Sequence, residues 1–75
     1  MTELVKYIVT ALVDDKGGVS VAEDGDVITV KVAKDDVGKV IGRQGRIIKA
    51  LRSVVKAASI KQGRNCTVEL DEEDA

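Results

Sequence analysis

Val40-Ile41-Gly42-Arg43-Gln44-Gly45-Arg46-Ile47-Ile48 is the stretch whose reading decides the fold of this chain. Gly42 and Gly45 bracket two polar residues, and aliphatic side chains close both flanks. Glycine lacks the Cβ that holds another backbone away, and it enters left-handed conformations without steric cost. A Gly-x-x-Gly turn that opens a helix therefore lets a phosphate backbone approach closely. Arg43 and Arg46 place positive charge at that spot. Taken alone the spacing fits an ordinary tight turn equally well, so the neighbouring residues must decide.

Downstream, residues 46–62 carry the strongest helical pattern in the chain. Ile47, Ile48, Leu51, Val54, Val55 and Ala58 form one apolar stripe, expected to be mainly core. At about 100° per residue, Arg46, Lys49, Arg52 and Lys56 gather on an adjoining face. Gln62-Gly63 ends the helix, and Cys66, Val68 and Leu70 alternate with polar residues as a last strand. Upstream, Asp36 is positioned to cap a short helix, Val37 to Ile41. Residues 18–33 read as a β-hairpin around an Asp24-Gly25 turn, with Ile28, Val30 and Val32 on one side. Residues 2–14 read as a helix with Leu4, Val5, Ile8, Ala11 and Leu12 at helical spacing and Thr2 as N-cap, stopped at Lys16-Gly17-Gly18. Three strands with helices on one face make a two-layer α+β domain, expected to span residues 1–75. Its acidic end, 71–75, is expected to fray.

Charge distribution supports a binding surface more than the net charge of −1 suggests. Residues 34–64 hold nine basic residues (Lys34, Lys39, Arg43, Arg46, Lys49, Arg52, Lys56, Lys61 and Arg64) against Asp35 and Asp36, so that segment is +7 and the remainder −8. Such a segment makes a local footprint for phosphates, although charged helix faces are often simply solvated. The enzyme classes fare poorly. There is no His, Cys66 is the only cysteine, and no Gly-x-x-x-x-Gly-Lys-Ser/Thr loop occurs. No catalytic residue, metal ligand or cofactor is expected. The apolar runs are too short for a signal peptide or membrane span, and a single thiol suits a reducing cytoplasm.

At residues 35–52, Asp-Asp-Val-Gly-Lys-Val-Ile-Gly-Arg-Gln-Gly-Arg-Ile-Ile-Lys-Ala-Leu-Arg, the chain resembles the KH domains, which bind RNA and single-stranded DNA. Val40, Ile41, Gly42, Gly45 and Ile48 meet the family pattern. A helix and two hairpin strands before the motif, with one strand after it, match the bacterial (type II) order α-β-β-α-α-β. Within that group the resemblance is to the small stand-alone KhpA (YlqC) family and covers nearly the whole chain. It implies that the loop clamps single-stranded RNA, with Lys39, Val40, Ile41, Gly42, Arg43, Gln44, Gly45, Arg46, Ile47, Ile48 and Lys49 as the RNA-binding set. It also implies RNA chaperoning or post-transcriptional control, linked to cell-wall (peptidoglycan) homeostasis and cell-length control. The implied partners are a second copy or a larger Jag-type KH protein (KhpB/EloR). An alternative role is a protein-interaction subunit whose main work is to dimerise with that larger partner.

Four other features bear on function. With no Trp or Phe and one Tyr, base stacking near the loop is unavailable, which favours backbone clamping over sequence reading. Gly38 is expected to permit close helix packing, and ligand contact is its alternative. Tyr7 is expected to pack rather than stack on bases. Ile60 falls off the apolar stripe, and with Ala50, Ser53 and Ala57 it outlines a candidate dimer face.

Overall fold

Central strand β2 (Val27–Lys31) pairs antiparallel with β1 (Ser20–Asp24) and parallel with β3 (Thr67–Asp71). Antiparallel neighbours need only a tight turn, here at Gly25 (φ +61°). Parallel neighbours need a long crossover. That crossover consists of α2 (Val37–Ile41), a 3-10 turn at Arg43–Gly45 and α3 (Arg46–Ile60). The glycine loop therefore sits inside the connection that builds the sheet. Helix α1 (Thr2–Leu12) completes the order α-β-β-α-α-β of the expected α+β fold. The computed structural model describes residues 1–71.

Period-2 alternation produces a one-sided sheet. Val21, Val30 and Leu70 lie in one cross-strand row, and Ile28 and Val68 share the next. Ile28, Val30 and Val68 are fully buried beneath the helices. The opposite rows, including Ala22–Thr29–Glu69 and Ser20–Lys31–Asp71, form the other face of the sheet. From the helical layer the core takes Val5, Val9 and Val13, then Val40, then Ile48, Leu51 and Val55. Small aliphatic side chains fill this core, as a chain without Phe or Trp requires.

The end of α3 is fixed by several polar contacts. Gly63, at φ +74°, donates to the Ile60 carbonyl, and Arg64 donates to the Ser59 carbonyl, which together make a Schellman turn. The buried Ser59 hydroxyl donates to the Lys56 carbonyl and accepts the Cys66 N–H, both at 2.9 Å. Arg64 then reaches the β1–β2 turn, donating to the Gly25 carbonyl and pairing with Glu23 and Asp26.

Several details differ from the pattern in the sequence. Met1, not Thr2, holds the N-cap position of α1, and no side chain caps that helix. The core face of α3 centres on Ile48, Leu51, Val55 and Ser59, which leaves Val54 47% exposed and Ile47 and Ala58 half-buried. Tyr7, expected to pack, is 78% exposed. The exposure of Val54 arises because α1 covers only part of α3, leaving an apolar groove lined by Ile8, Leu12, Ile47, Ala50 and Val54. Tyr7 instead lies on the side of α1 opposite Val5 and Val9, beside Glu3, Lys6 and Thr10. Asp71, placed in the acidic end, closes β3, and the rest of that segment lies outside the described residues.

Candidate nucleic-acid interface

The loop is built from unusual backbone. Gly42 lies at φ +76°, ψ +173°, a region essentially reserved for glycine. A Cβ there would stand 2.6 Å from Ile47 Cγ1, so Gly42 is needed to seat Ile47 beneath the loop. Gln44 (φ +58°) and Gly45 (φ +74°) also lie at positive φ. The glycine amides are used internally: Gly42 N–H donates to Gly38 O at 2.9 Å and Gly45 N–H to Gly42 O at 3.2 Å. What faces outward is the Arg43 and Gln44 side chains, the open surface of Gly45, and the start of α3. No side chain caps that helix, so its positive dipole end meets the loop directly.

The anticipated binding set divides in four. Arg43, Gln44, Arg46 and Lys49 are exposed, and Arg46 Nη2 approaches Gln44 Oε1 at 3.4 Å. Ile41, Gly42, Gly45 and Ile47 are half-buried around them. Val40 and Ile48 are core residues and cannot line a groove, because their side chains face the sheet side of their helices. Lys39 points elsewhere, toward Asp14 and Asp36. Its high proton affinity reflects first the hydrogen bond to Asp14 and then that to Asp36, with burial opposing.

The basic segment sorts the same way. Lys39 and Arg64 hold acidic partners, and Arg52 Nε donates to the Val68 carbonyl at 3.0 Å. Among the described residues Lys34, Arg43, Arg46, Lys49, Lys56 and Lys61 pair with no carboxylate. On α3, Lys49, Arg52 and Lys56 form one stripe that continues from the loop toward the β3 side. Ala50, Ser53, Ala57 and Ile60 form the adjoining exposed stripe, with Ile60 57% exposed.

Two residues have roles that the sequence did not disclose. Gly38 packs against nothing: a Cβ there meets no atom within 4 Å. A glycine inside a helix costs roughly 1 kcal/mol against alanine, and no packing inside the chain accounts for it. Asp36 stands at the N-cap of α2, but its side chain accepts no capping N–H of that helix. Its carboxylate accepts the N–H of Asp15 at 3.0 Å, that of Asp14 at 3.3 Å, and the Lys39 ammonium. The Asp15 N–H is the main reason its carboxyl lies below the usual range; burial opposes it, and Asp14 and Lys39 reinforce it.

A Gly-x-x-Gly loop between two helices, set in the crossover of an α-β-β-α-α-β sheet, defines a KH domain of the bacterial topology. The family described as "KhpA/KhpB, KH domain" matches residues 2–70. This chain belongs to that family, which is not a family of enzymes. It is 47% identical to the RNA-binding protein KhpA of Clostridium perfringens, covering 93% of this chain and 99% of the relative. Against the RNA-binding protein KhpA of Caldanaerobacter subterraneus the identity is 49% over the same shares. Against that of Streptomyces coelicolor it is 41%, over 99% of this chain and 95% of the relative. No solved structure matches.

Proposed function

We propose that this chain binds single-stranded RNA by clamping its backbone over Gly42–Gly45, with Arg43, Gln44, Arg46 and Lys49 as the contacting side chains. The observation that carries this reading is the loop itself: a strained, exposed Gln44 between cations that pair with no carboxylate. Gly38 joins the site as a bare stretch of helix where RNA backbone or base can come close. Val40 and Ile48 leave it as core residues, and the exposed Lys39 leaves it by pairing with Asp14 and Asp36. With no aromatic at the loop, recognition is weakly sequence-specific and depends on salt. Ultraviolet crosslinking of a single-stranded RNA, followed by peptide mapping, checks this. Adducts within residues 38–49 support it, and adducts on the β1–β3 outer face contradict it.

The exposed Ile60, with small Ala50, Ser53 and Ala57 beside it, favours a second property. This stripe is a surface for a second copy or for a larger KH partner of the KhpB/EloR kind. Pairing places two weak loops on one particle and raises avidity. Ile60→Asp is expected to leave a folded monomer with weaker RNA binding, and an unchanged dimer in sedimentation removes this surface. The cellular role that follows is RNA chaperoning or post-transcriptional control in the cytoplasm, tied to cell-wall homeostasis. Altered cell length on deletion, restored by the wild type but not by Arg43→Asp/Gln44→Asp, tests that link. Among the described residues no helix is long and apolar enough to cross a membrane.

A further inference from the structure

Asp36 is 3% exposed and joins segments far apart in sequence. Its partners Asp14 and Asp15 follow α1, and Lys39 lies one turn along α2. We infer that Asp36, with Lys39 and Asp14 as charged partners, is a positioning residue that sets the Gly42–Gly45 loop for RNA by fixing α2. This rests on the RNA reading proposed above.

Helix α2 has five residues, too few to hold its shape alone. One fully buried side chain, Val40, anchors it to the core, with Val37 and Ile41 half-buried beside it. These three side chains hold one face of α2 against the core. The Asp36 carboxylate supplies a polar fixed point at the start of the helix. From there the path to the loop is continuous backbone bonding: α2, then Gly42 N–H to Gly38 O, then Gly45 N–H to Gly42 O. Lys39 and Asp14 lock the same joint from outside. Lys39 is thereby withdrawn from phosphate contact and serves the loop indirectly.

The sign of one substitution separates positioning from charge. Asp36→Asn removes a negative charge, and charge alone would tighten binding to a polyanion. Positioning demands the opposite: affinity for a single-stranded oligonucleotide falls about threefold to thirtyfold. The Gly42, Gln44 and Gly45 amide resonances also shift in the absence of RNA. Asp14→Asn removes an equal charge but leaves both backbone bonds and the Lys39 contact of Asp36, so its affinity falls less than that of Asp36→Asn. Unchanged or tighter binding by folded Asp36→Asn overturns the proposal. If Asp36→Asn does not fold, Lys39→Met carries the test. Weaker binding with the wild-type salt slope supports a positioning role, while a slope reduced by about 0.7 marks Lys39 as a phosphate ligand and overturns it. If the wild type binds no RNA, the RNA reading fails separately. Loop amides left unmoved by Asp36→Asn then sink the positional link as well.

Discussion

Gln44 holds a left-handed backbone conformation that costs an L side chain about 1–2 kcal/mol. Glycine would occupy it without that cost, yet the chain keeps an exposed amide there. Gln44→Gly is expected to raise stability by about 1 kcal/mol while weakening RNA binding, read by urea unfolding and by RNA titration. Gly42 behaves oppositely. Gly42→Ala drives a Cβ into Ile47 in glycine-only backbone, and a loss of about 2–3 kcal/mol follows. Asp36 gives a pH dependence of definite sign. Because its folded-state carboxyl is held below the ordinary value of 3.8, its contribution is present above that value and is lost as pH falls beneath it. Thermal melting from neutral to acid pH should show a decline below about pH 4 that is shallower in Asp36→Asn. The loop was legible at this scale because Gly-x-x-Gly is local. The pairing of Lys39 with Asp14 was not, because the two lie 25 residues apart in the chain.

Periodicity made the elements legible where one face alone is buried. Ile28, Val30 and Val32 alternate and announce their buried side, whereas the Leu4, Val5, Ile8, Ala11, Leu12 pattern misplaces the face of α1: Val5, Val9 and Val13 are the buried residues, and Leu4 and Ala11 are exposed. The flank of α3 was harder to read. Whether Val54 is covered depends on how far α1 reaches across it, which is a property of the packed pair and not of either helix. Arg52 and Arg64 looked like members of a basic track, yet they bond to β3 and to the β1–β2 turn. Ser59 lay hidden in the same way. As an exposed helix serine it would be neutral, but it holds the Cys66 N–H as the chain turns into β3. Ser59→Ala leaves that buried donor without a partner and should cost about 1–3 kcal/mol by chemical denaturation, with RNA affinity of the folded protein unchanged.

Across the whole molecule the two charge blocks of the sequence separate only in part: Glu3, Asp14 and Asp15 stay with the helices, and Lys31 lies on the outer sheet face. Lys49, Lys56 and the loop arginines belong to the helical layer, while Asp24, Glu69 and Asp71 lie in the rows of the outer sheet face. A near-neutral protein polarised this way presents its helical side to a polyanion. Glu69→Lys should therefore speed RNA association about two- to threefold at low salt and leave it unchanged at high salt, where such fields are screened. A domain of this size has a thin stability margin, so each variant needs its own melting curve. The central claim is that the loop grips backbone with little regard for sequence. Its most direct test is the affinity of wild type and Arg43→Asp/Gln44→Asp for uridine-rich, adenosine-rich and mixed single-stranded RNA across a salt series. The expected result is similar affinity for all three by the wild type, with log K falling linearly by about 0.7 per phosphate contact against log salt, and loss of binding in the folded double variant. Undiminished binding by that variant, or strong preference for one sequence, would contradict the account.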